Sequence, residues 1–241
     1  MPLNIFRWIT ALALAVLVGC DDAVPVVSVR AARGADGPLV LAVMPDLPPY
    51  AYEDKTSGEI RGIDIDIVRA AAARLGRPLE IRKVLFAEML PSVKDGRAEF
   101  AAGGLTITEG RRRNVDFSIP YAVEGSAFLY RVGEKMPTMI SLEATSVAVV
   151  EGMTQDFYLT RHGIDPIRYP SIHDAVDDVL KRKIDVLAFD RPALMIFAKE
   201  SGGKLAVSPL ETREHYGIAV SKDRPDCLEA VNAVIRERQA K

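Results

Sequence analysis

A short stretch near the middle of the chain combines glycines, hydroxyls and a guanidinium. Residues 103–121 read GGLTITEGRRRNVDFSIPY and include Gly104, Thr106 and Arg111. Arginine presents its N–H donors in a fixed fork that matches a carboxylate, threonine adds a hydroxyl, and glycine lets a ligand group approach the backbone closely. This combination predicts a site for a small carboxylate. We expect the two arginines after Arg111 to point elsewhere and to be solvated.

Two polar residues in the second half of the chain offer complementary chemistry. Asp190 ends the apolar segment 184–189, where its carboxylate can accept a hydrogen bond from an ammonium or cap the following helix. Thr154 opens a predicted helix, whose first N–H groups and dipole favour an anion, although a helix cap is again the alternative. A carboxylate clamp on one side and an ammonium acceptor on the other would suit an α-amino acid.

Aromatic residues offer a pocket for the rest of such a molecule. Tyr50 and Tyr52 follow two prolines in a rigid loop, and Phe86 follows a predicted strand. Each of them is equally well explained as part of the hydrophobic core.

The sequence offers little for catalysis or metal binding. His162, His173 and His215 are scattered, and no metal-ligand spacing, phosphate-binding loop or serine-nucleophile motif is present. Asp64 and Asp66 alternate with isoleucines at a predicted helix start, where they complement the helix dipole. We therefore expect no metal, no cofactor and no catalytic residue.

Length and charge limit the class of protein further. The chain has 241 residues, 49% of them hydrophobic, and a net charge of −2. That length suits one large domain or two small ones. Because no dense basic patch is present, nucleic acid is not expected as a partner.

The N-terminus is predicted to be processed. Arg7 precedes an apolar run at 9–18, which is shorter than the roughly 20 residues that a membrane-spanning helix needs. Residues 1–19 therefore predict a secretory signal peptide. Its end resembles a bacterial lipobox, which implies lipidation of Cys20 and, with an aspartate next, retention at the inner membrane. Residues 20–37 lack periodicity and predict a flexible tether.

From residue 38 onwards, predicted strands and helices alternate in two series. This order predicts parallel sheets covered by helices, an α/β fold. We expect one lobe to comprise residues 38–122 with 217–241 and the other residues 123–216. Two connections would join these lobes. Gly125 and Gly217 lie in them and are either hinges or packing glycines.

Three motifs in order resemble family 3 solute-binding proteins, the periplasmic receptors of polar amino-acid ABC transporters. They are GIDIDIV at 62–68, GLTIT at 104–108 followed by Arg111, and VDFSIPY at 115–121. The resemblance runs from about residue 38 to the C-terminus and implies a type II periplasmic-binding fold of two lobes joined by two hinge crossings.

The resemblance also assigns roles to individual residues. It implies that Arg111, Thr106, the Gly104 backbone and Thr154 hold an α-carboxylate, and that Asp190 holds the α-ammonium. Phe86 would line the side-chain pocket. Met44 stands where binders of cationic amino acids often carry an acid, which disfavours arginine or lysine as the ligand.

The expected function is that of a monomeric, lipid-anchored periplasmic receptor that delivers an amino acid to the membrane subunits of an ABC permease. Two alternatives use the same fold. Cyclohexadienyl dehydratases resemble this family but need a general acid in the cleft, and the helix after Asp190 contains none up to Lys199. A periplasmic sensor or accessory protein is the other alternative.

Overall fold

Two five-stranded sheets with helices on both faces form the core of the protein. The computed structural model describes residues 37–240, so the predicted signal peptide, Cys20 and nearly all of the tether lie outside the described residues. The predicted α/β class is confirmed.

The first sheet uses strands from both ends of the described chain. In spatial order they are β5 (Leu79–Lys83), β1 (Leu39–Val43), β6 (Phe100–Ala101), β15 (Ala219–Val220) and β7 (Asp116–Phe117). The first three are parallel, whereas β15 runs antiparallel to both of its neighbours. Its helices are α1 (Ile63–Arg74), α2 (Phe86–Lys94), α3 (Glu109–Arg112) and α7 (Pro225–Gln239).

Strand β1 shows why this sheet is covered on both faces. All five of its residues are apolar and buried. Val40 and Ala42 belong to a hydrophobic cluster with Met89 of α2, whereas the alternate residues, among them Leu41, pack in a second cluster with residues of α1 and α7 such as Val231. A continuous apolar strand is what burial on both faces of a parallel sheet requires.

The second sheet is built from the middle of the chain. Its strands, in spatial order, are β11 (Ile167–Tyr169), β10 (Val147–Val150), β12 (Val186–Asp190), β9 (Ser126–Arg131) and β13 (Leu205–Val207). Its helices are α4 (Thr154–Arg161), α5 (Ile172–Leu180) and α6 (Arg191–Glu200), and a 3-10 turn covers Ser141–Ala144. None of the helices within residues 37–240 is long and apolar enough to cross a lipid bilayer.

The predicted connection that contains Gly125 continues directly into a strand of the second sheet, β9. Ser126–Arg131 lies between β12 and β13 and is antiparallel to both. Ala127 and Leu129 pack in one hydrophobic cluster and Phe128 in another, so this strand too is buried on both faces. A connecting segment with such side chains would leave apolar surface in water.

The two connections between the sheets lie side by side. Strand β8 (Ala122–Glu124) pairs antiparallel with β14 (Glu214–Tyr216). Strands β14 and β15 follow each other closely in the chain but lie in different sheets. The loop that holds Tyr50 is part of a small antiparallel sheet of β2 (Asp46–Leu47), β3 (Ala51–Glu53) and β4 (Ile60–Arg61).

Local signals place several helices correctly. The Ser171 hydroxyl accepts a hydrogen bond from the His173 N–H at 3.1 Å and caps α5. Helix α7 begins at Pro225, because proline suits the first turn of a helix. Cys227 on this helix is fully buried, and burial raises the pKa of its thiol to about 12.

Close packing explains the glycine at 125. A Cβ there would lie 2.0 Å from the carbonyl oxygen of Thr212, and a Cβ at Gly217 would lie 2.8 Å from the Cδ1 of Ile107. We expect Gly125→Ala to lower stability by roughly 1–3 kcal/mol through overpacking, measured by thermal melting. Gly110→Ala is the matched control, since its nearest neighbouring atom would be 3.6 Å away. Equal melting temperatures in both variants would contradict the packing explanation.

Candidate functional site

The polar residues singled out from the sequence gather where the two sheets face each other. Thr106 follows β6 of the first sheet, whereas Thr154 follows β10 and Asp190 ends β12 of the second. In sheets of this kind, ligands bind outside the carboxyl ends of the strands. The two halves also touch at the rim, where the Nζ of Lys55 lies 3.0 Å from the Oε2 of Glu200.

A glycine turn held by a buried carboxylate precedes Thr106. The Asp64 Oδ2 accepts hydrogen bonds from the N–H of Gly103 at 2.8 Å and of Gly104 at 2.9 Å. Gly104 has a φ of +64°, and a Cβ there would lie 2.0 Å from the Cδ2 of Leu47. Burial raises the pKa of Asp64 to about 6, against the effect of these hydrogen bonds. Asp64 thus does more than complement the helix dipole, and the Gly104 N–H already has a partner within the protein.

Arg111 is held at the edge of the cleft by α3. The Thr108 hydroxyl caps this helix by accepting from the Arg111 N–H at 3.2 Å. The Arg111 Nη1 donates to the carbonyl of Thr106 at 2.9 Å, and its guanidinium carbon lies 5.4 Å from the centroid of the Phe86 ring. Burial lowers the pKa of Arg111, although Asp190 and Glu214 oppose this shift.

The other two arginines of the cluster do not join Arg111. Arg112 and Arg113 are exposed, as predicted, whereas Arg111 is half-buried. One guanidinium of the three therefore faces the cleft.

The aromatic residues divide between the cleft and the crossing strands. Phe86, at the start of α2, is buried beneath Arg111. Tyr50 packs edge-on against Tyr216 at 5.2 Å between ring centroids, and its hydroxyl donates to the Oε1 of Glu124 at 3.0 Å. Tyr50 therefore lies in an aromatic cluster at the crossing. Tyr52 lines a cavity of about 830 Å³ that opens between the small sheet and α6.

Asp190 lies deep in the second sheet with a carboxylate that is only partly satisfied. It is 1% exposed, and its Oδ1 accepts from the Tyr216 hydroxyl and from the Nε2 of Gln155 at 3.3 Å. Its Oδ2 has no partner among the described residues. Burial, with the charge of Glu214, raises the pKa of Asp190 to about 7. Asp190 occupies the N-cap position of α6, but its side chain makes no capping hydrogen bond there.

Four hydroxyls converge on the carboxylate of Glu214, which sequence analysis missed. The Glu214 Oε2 accepts from Thr106 at 2.6 Å and from Thr154 at 3.0 Å. The Oε1 accepts from Ser126 at 2.9 Å and from Thr212 at 2.6 Å. The Thr154 hydroxyl is thus directed to Glu214, and no side-chain cap of α4 is formed. These hydroxyls come from both sheets and form a carboxylate site.

The family of this protein follows from a match to a family model. The model of the bacterial extracellular solute-binding proteins, family 3, matches residues 39–241. This chain belongs to that family. The match covers both sheets and the two crossing strands.

Relatives of this family 3 protein carry the names of amino-acid-binding proteins. The L-cystine-binding protein TcyJ of Escherichia coli K12 is 26% identical over 208 residues, which are 84% of this chain and 78% of TcyJ. The ABC transporter glutamine-binding protein GlnH of Bacillus subtilis is 25% identical over 208 residues, with 84% and 76% covered.

Solved structures of similar proteins agree with the two-lobed fold. The arginine-bound form of a truncated ArgBP from T. maritima has a TM-score of 0.79 at 32% identity, covering 83% of this chain and 95% of that one. The ancestral amino acid-binding protein AncCDT-1, a precursor of cyclohexadienyl dehydratase, has a TM-score of 0.76 at 26% identity, with 84% and 90% covered. Both are structures of amino-acid-binding proteins or their ancestors.

Several cleft residues of this family 3 protein carried no clear signal in the sequence. Ser126 and Glu214 lie in segments interpreted as connections, and nothing in their neighbours indicates a binding role. Gln155 follows Thr154 directly in the chain, but only the structure shows its Nε2 donating to Ser126 at 2.8 Å. A Glu-x-Tyr-Gly stretch at 214–217, next to a predicted crossing, is the one feature that could have drawn attention to Glu214.

Proposed function

We propose that this protein is a periplasmic receptor that binds an amino acid between its two lobes and delivers it to an ABC transporter. The observation that carries this proposal is the convergence of Arg111 and the Thr106 hydroxyl from the first sheet with the Thr154 hydroxyl and Asp190 from the second. The relatives support the same class of ligand, since their names refer to cystine, glutamine and arginine binding.

The chemistry of the clamp matches the two charged ends of an α-amino acid. Arg111 and the threonine hydroxyls would bind the carboxylate, because charge-assisted hydrogen bonds from a guanidinium are strong. The unpartnered Oδ2 of Asp190 would accept from the ammonium, and Phe86 and Tyr50 would limit the space for the side chain. A ligand held by both lobes favours the closed state, which the permease can then recognise.

The cellular setting that we propose follows from the N-terminus. Residues 1–19 would be removed and Cys20 lipidated, so that a monomer is tethered to the inner membrane by residues 20–37. The hinge would separate a lobe of residues 38–122 and 217–241 from a lobe of residues 123–216. The strand pair β8–β14 supports this division, because it is the place where the chain passes between the two sheets.

Thermal-shift measurements with the twenty standard amino acids and L-cystine test this function. Binding to the folded state raises its stability by about 2.7 kcal/mol at a hundredfold excess over the dissociation constant. We expect one or a few of these compounds to raise the melting temperature, with calorimetry giving the stoichiometry. No shift with any of them would contradict the proposal.

One observation favours an enzyme as the second candidate. A buried carboxyl with a pKa near 7, as found for Asp190, is suited to general acid catalysis, and AncCDT-1 is described as a precursor of an enzyme. We expect no turnover of prephenate or arogenate by the purified protein, because Asp190 is required for the ammonium. Formation of an aromatic product would favour the enzyme instead.

A further inference from the structure

The Glu214 carboxylate occupies a complete carboxylate-binding site supplied by both halves of the protein. Each of its oxygens accepts two hydrogen bonds from hydroxyls, at 2.6–3.0 Å. These distances lie in the usual range for O–H···O hydrogen bonds. The protein therefore satisfies Glu214 as fully as it would satisfy a bound ligand.

The two oxygens of Glu214 have different partners. The Oε2 is bound by Thr106 and Thr154, the two hydroxyls that the proposed function assigns to the α-carboxylate. Arg111, which is assigned to the same carboxylate, is close enough for the charge of Glu214 to affect its pKa. The Oε2 thus stands where an amino-acid carboxylate oxygen would have to bind.

We propose that Glu214 is a tethered competitor for the carboxylate of the amino acid. The proposal rests on the proposed function, since it uses the same subsite. A carboxylate fixed to the chain acts at a high effective concentration, so that an incoming amino acid has to displace it. In this way Glu214 sets the affinity of the cleft for the amino acid. Because the hydroxyls that bind it come from both sheets, Glu214 also holds the two lobes together.

The arrangement allows displacement without loss of every contact. Ser126 and Thr212 hold the Oε1 at the crossing strands, and they can keep the Glu214 side chain while its Oε2 leaves Thr106 and Thr154. Gln155 fixes the Ser126 hydroxyl by donating to it at 2.8 Å. A rotation of the carboxylate about this anchored oxygen would open the subsite.

The charges around Glu214 favour exchange with a zwitterion. The negative charges of Asp190 and Glu214 both oppose the lowering of the Arg111 pKa by burial. An amino acid would bring its own ammonium to Asp190 and its own carboxylate to Arg111. The ligand therefore adds a counter-charge next to Asp190, whose carboxylate otherwise has Glu214 as a like-charge neighbour.

Calorimetry on Glu214→Gln tests the competition. The probes are those of the standard amino acids that raise the melting temperature of either the wild-type protein or the variant. Because the apparent affinity rises when a competing state is removed, we expect the variant to bind at least about tenfold more tightly than the wild type. Glu211→Gln is the matched control, because it makes the same charge change on the same segment and its side chain has no part in the hydroxyl cluster. We expect it to bind the amino acid with the affinity of the wild type.

Small-angle scattering of Glu214→Ala without added amino acid tests the link between the lobes. We expect a larger radius of gyration than that of the wild type and of Glu211→Gln, because Thr106 and Thr154 lose their common partner. Unchanged or weaker binding by Glu214→Gln would overturn the competition, and an unchanged radius of gyration would overturn the link. If no amino acid binds to either protein, the proposed function fails, while scattering still decides whether Glu214 joins the lobes.

Discussion

Arg111→Ala should abolish amino-acid binding and leave the fold intact. The guanidinium lies at the edge of the cleft, where the charges of Asp190 and Glu214 affect its pKa, so its loss removes the cation that we assign to the ligand carboxylate. Truncating one partner of a buried charge pair costs roughly 2–5 kcal/mol, which is at least about a 30-fold loss of affinity. Calorimetry with the amino acid identified by thermal shift gives this value directly.

Two further variants separate charge from geometry at this position. Arg111→Lys keeps the charge but loses the planar fork, so its affinity should lie between those of the wild type and the alanine variant. Arg112→Ala removes an exposed neighbour and should bind like the wild type. Circular dichroism should be alike in all of these proteins. Wild-type affinity in Arg111→Ala would refute the assignment of the carboxylate site.

Asp190→Asn should lose binding and, above neutral pH, gain stability. Asp190 is buried, and its pKa is raised from 3.8 to about 7. The folded protein thus holds a proton that the unfolded chain releases at lower pH. The stability associated with this proton is fully present below about pH 4 and is lost as the pH rises through about 7. Asparagine cannot lose a proton, and it keeps an acceptor for Tyr216.

Urea unfolding of the wild type and Asp190→Asn at a series of pH values checks this sign. We expect the variant to gain stability relative to the wild type between about pH 4 and pH 8, by about 4 kcal/mol in total. The pKa of Asp64 is raised in both proteins. Its contribution to the free energy of unfolding therefore cancels in the difference between them. Asp95→Asn, an exposed site, should show no such gain. Parallel pH profiles, or full ligand affinity in Asp190→Asn, would contradict the assignment.

The sequence predicted those parts of the cleft whose signal is local. Arg111 follows a glycine pair and a threonine within a few positions, and Asp190 ends an apolar strand, so chain order alone placed them at strand ends. The apolar run of β1 is likewise a local signal, typical of a strand buried on both faces. These features depend on neighbours in sequence, which a single chain displays.

The remaining parts depend on contacts between distant segments. Glu214 meets Thr106 and Thr154, which are 108 and 60 positions away, and no spacing rule connects them. Strand β9 was missed because it enters the sheet directly from a crossing strand, whereas the predicted series alternated strands with helices. The sequence predicts that Asp64 complements a helix dipole. Its hydrogen bonds with Gly103 and Gly104 depend on the fold and have no local signal in the sequence.

The aromatic cluster at the crossing strands gives this protein an intrinsic optical reporter. Trp8, the single tryptophan, lies in the predicted signal peptide, so emission from the processed protein would come from tyrosine. Tyr216 donates its hydroxyl to Asp190 and stacks edge-on against Tyr50. An ammonium that binds Asp190 changes the surroundings of the carboxylate that accepts the hydrogen bond of Tyr216. Tyrosine fluorescence should therefore follow binding in real time, without a dye or a label.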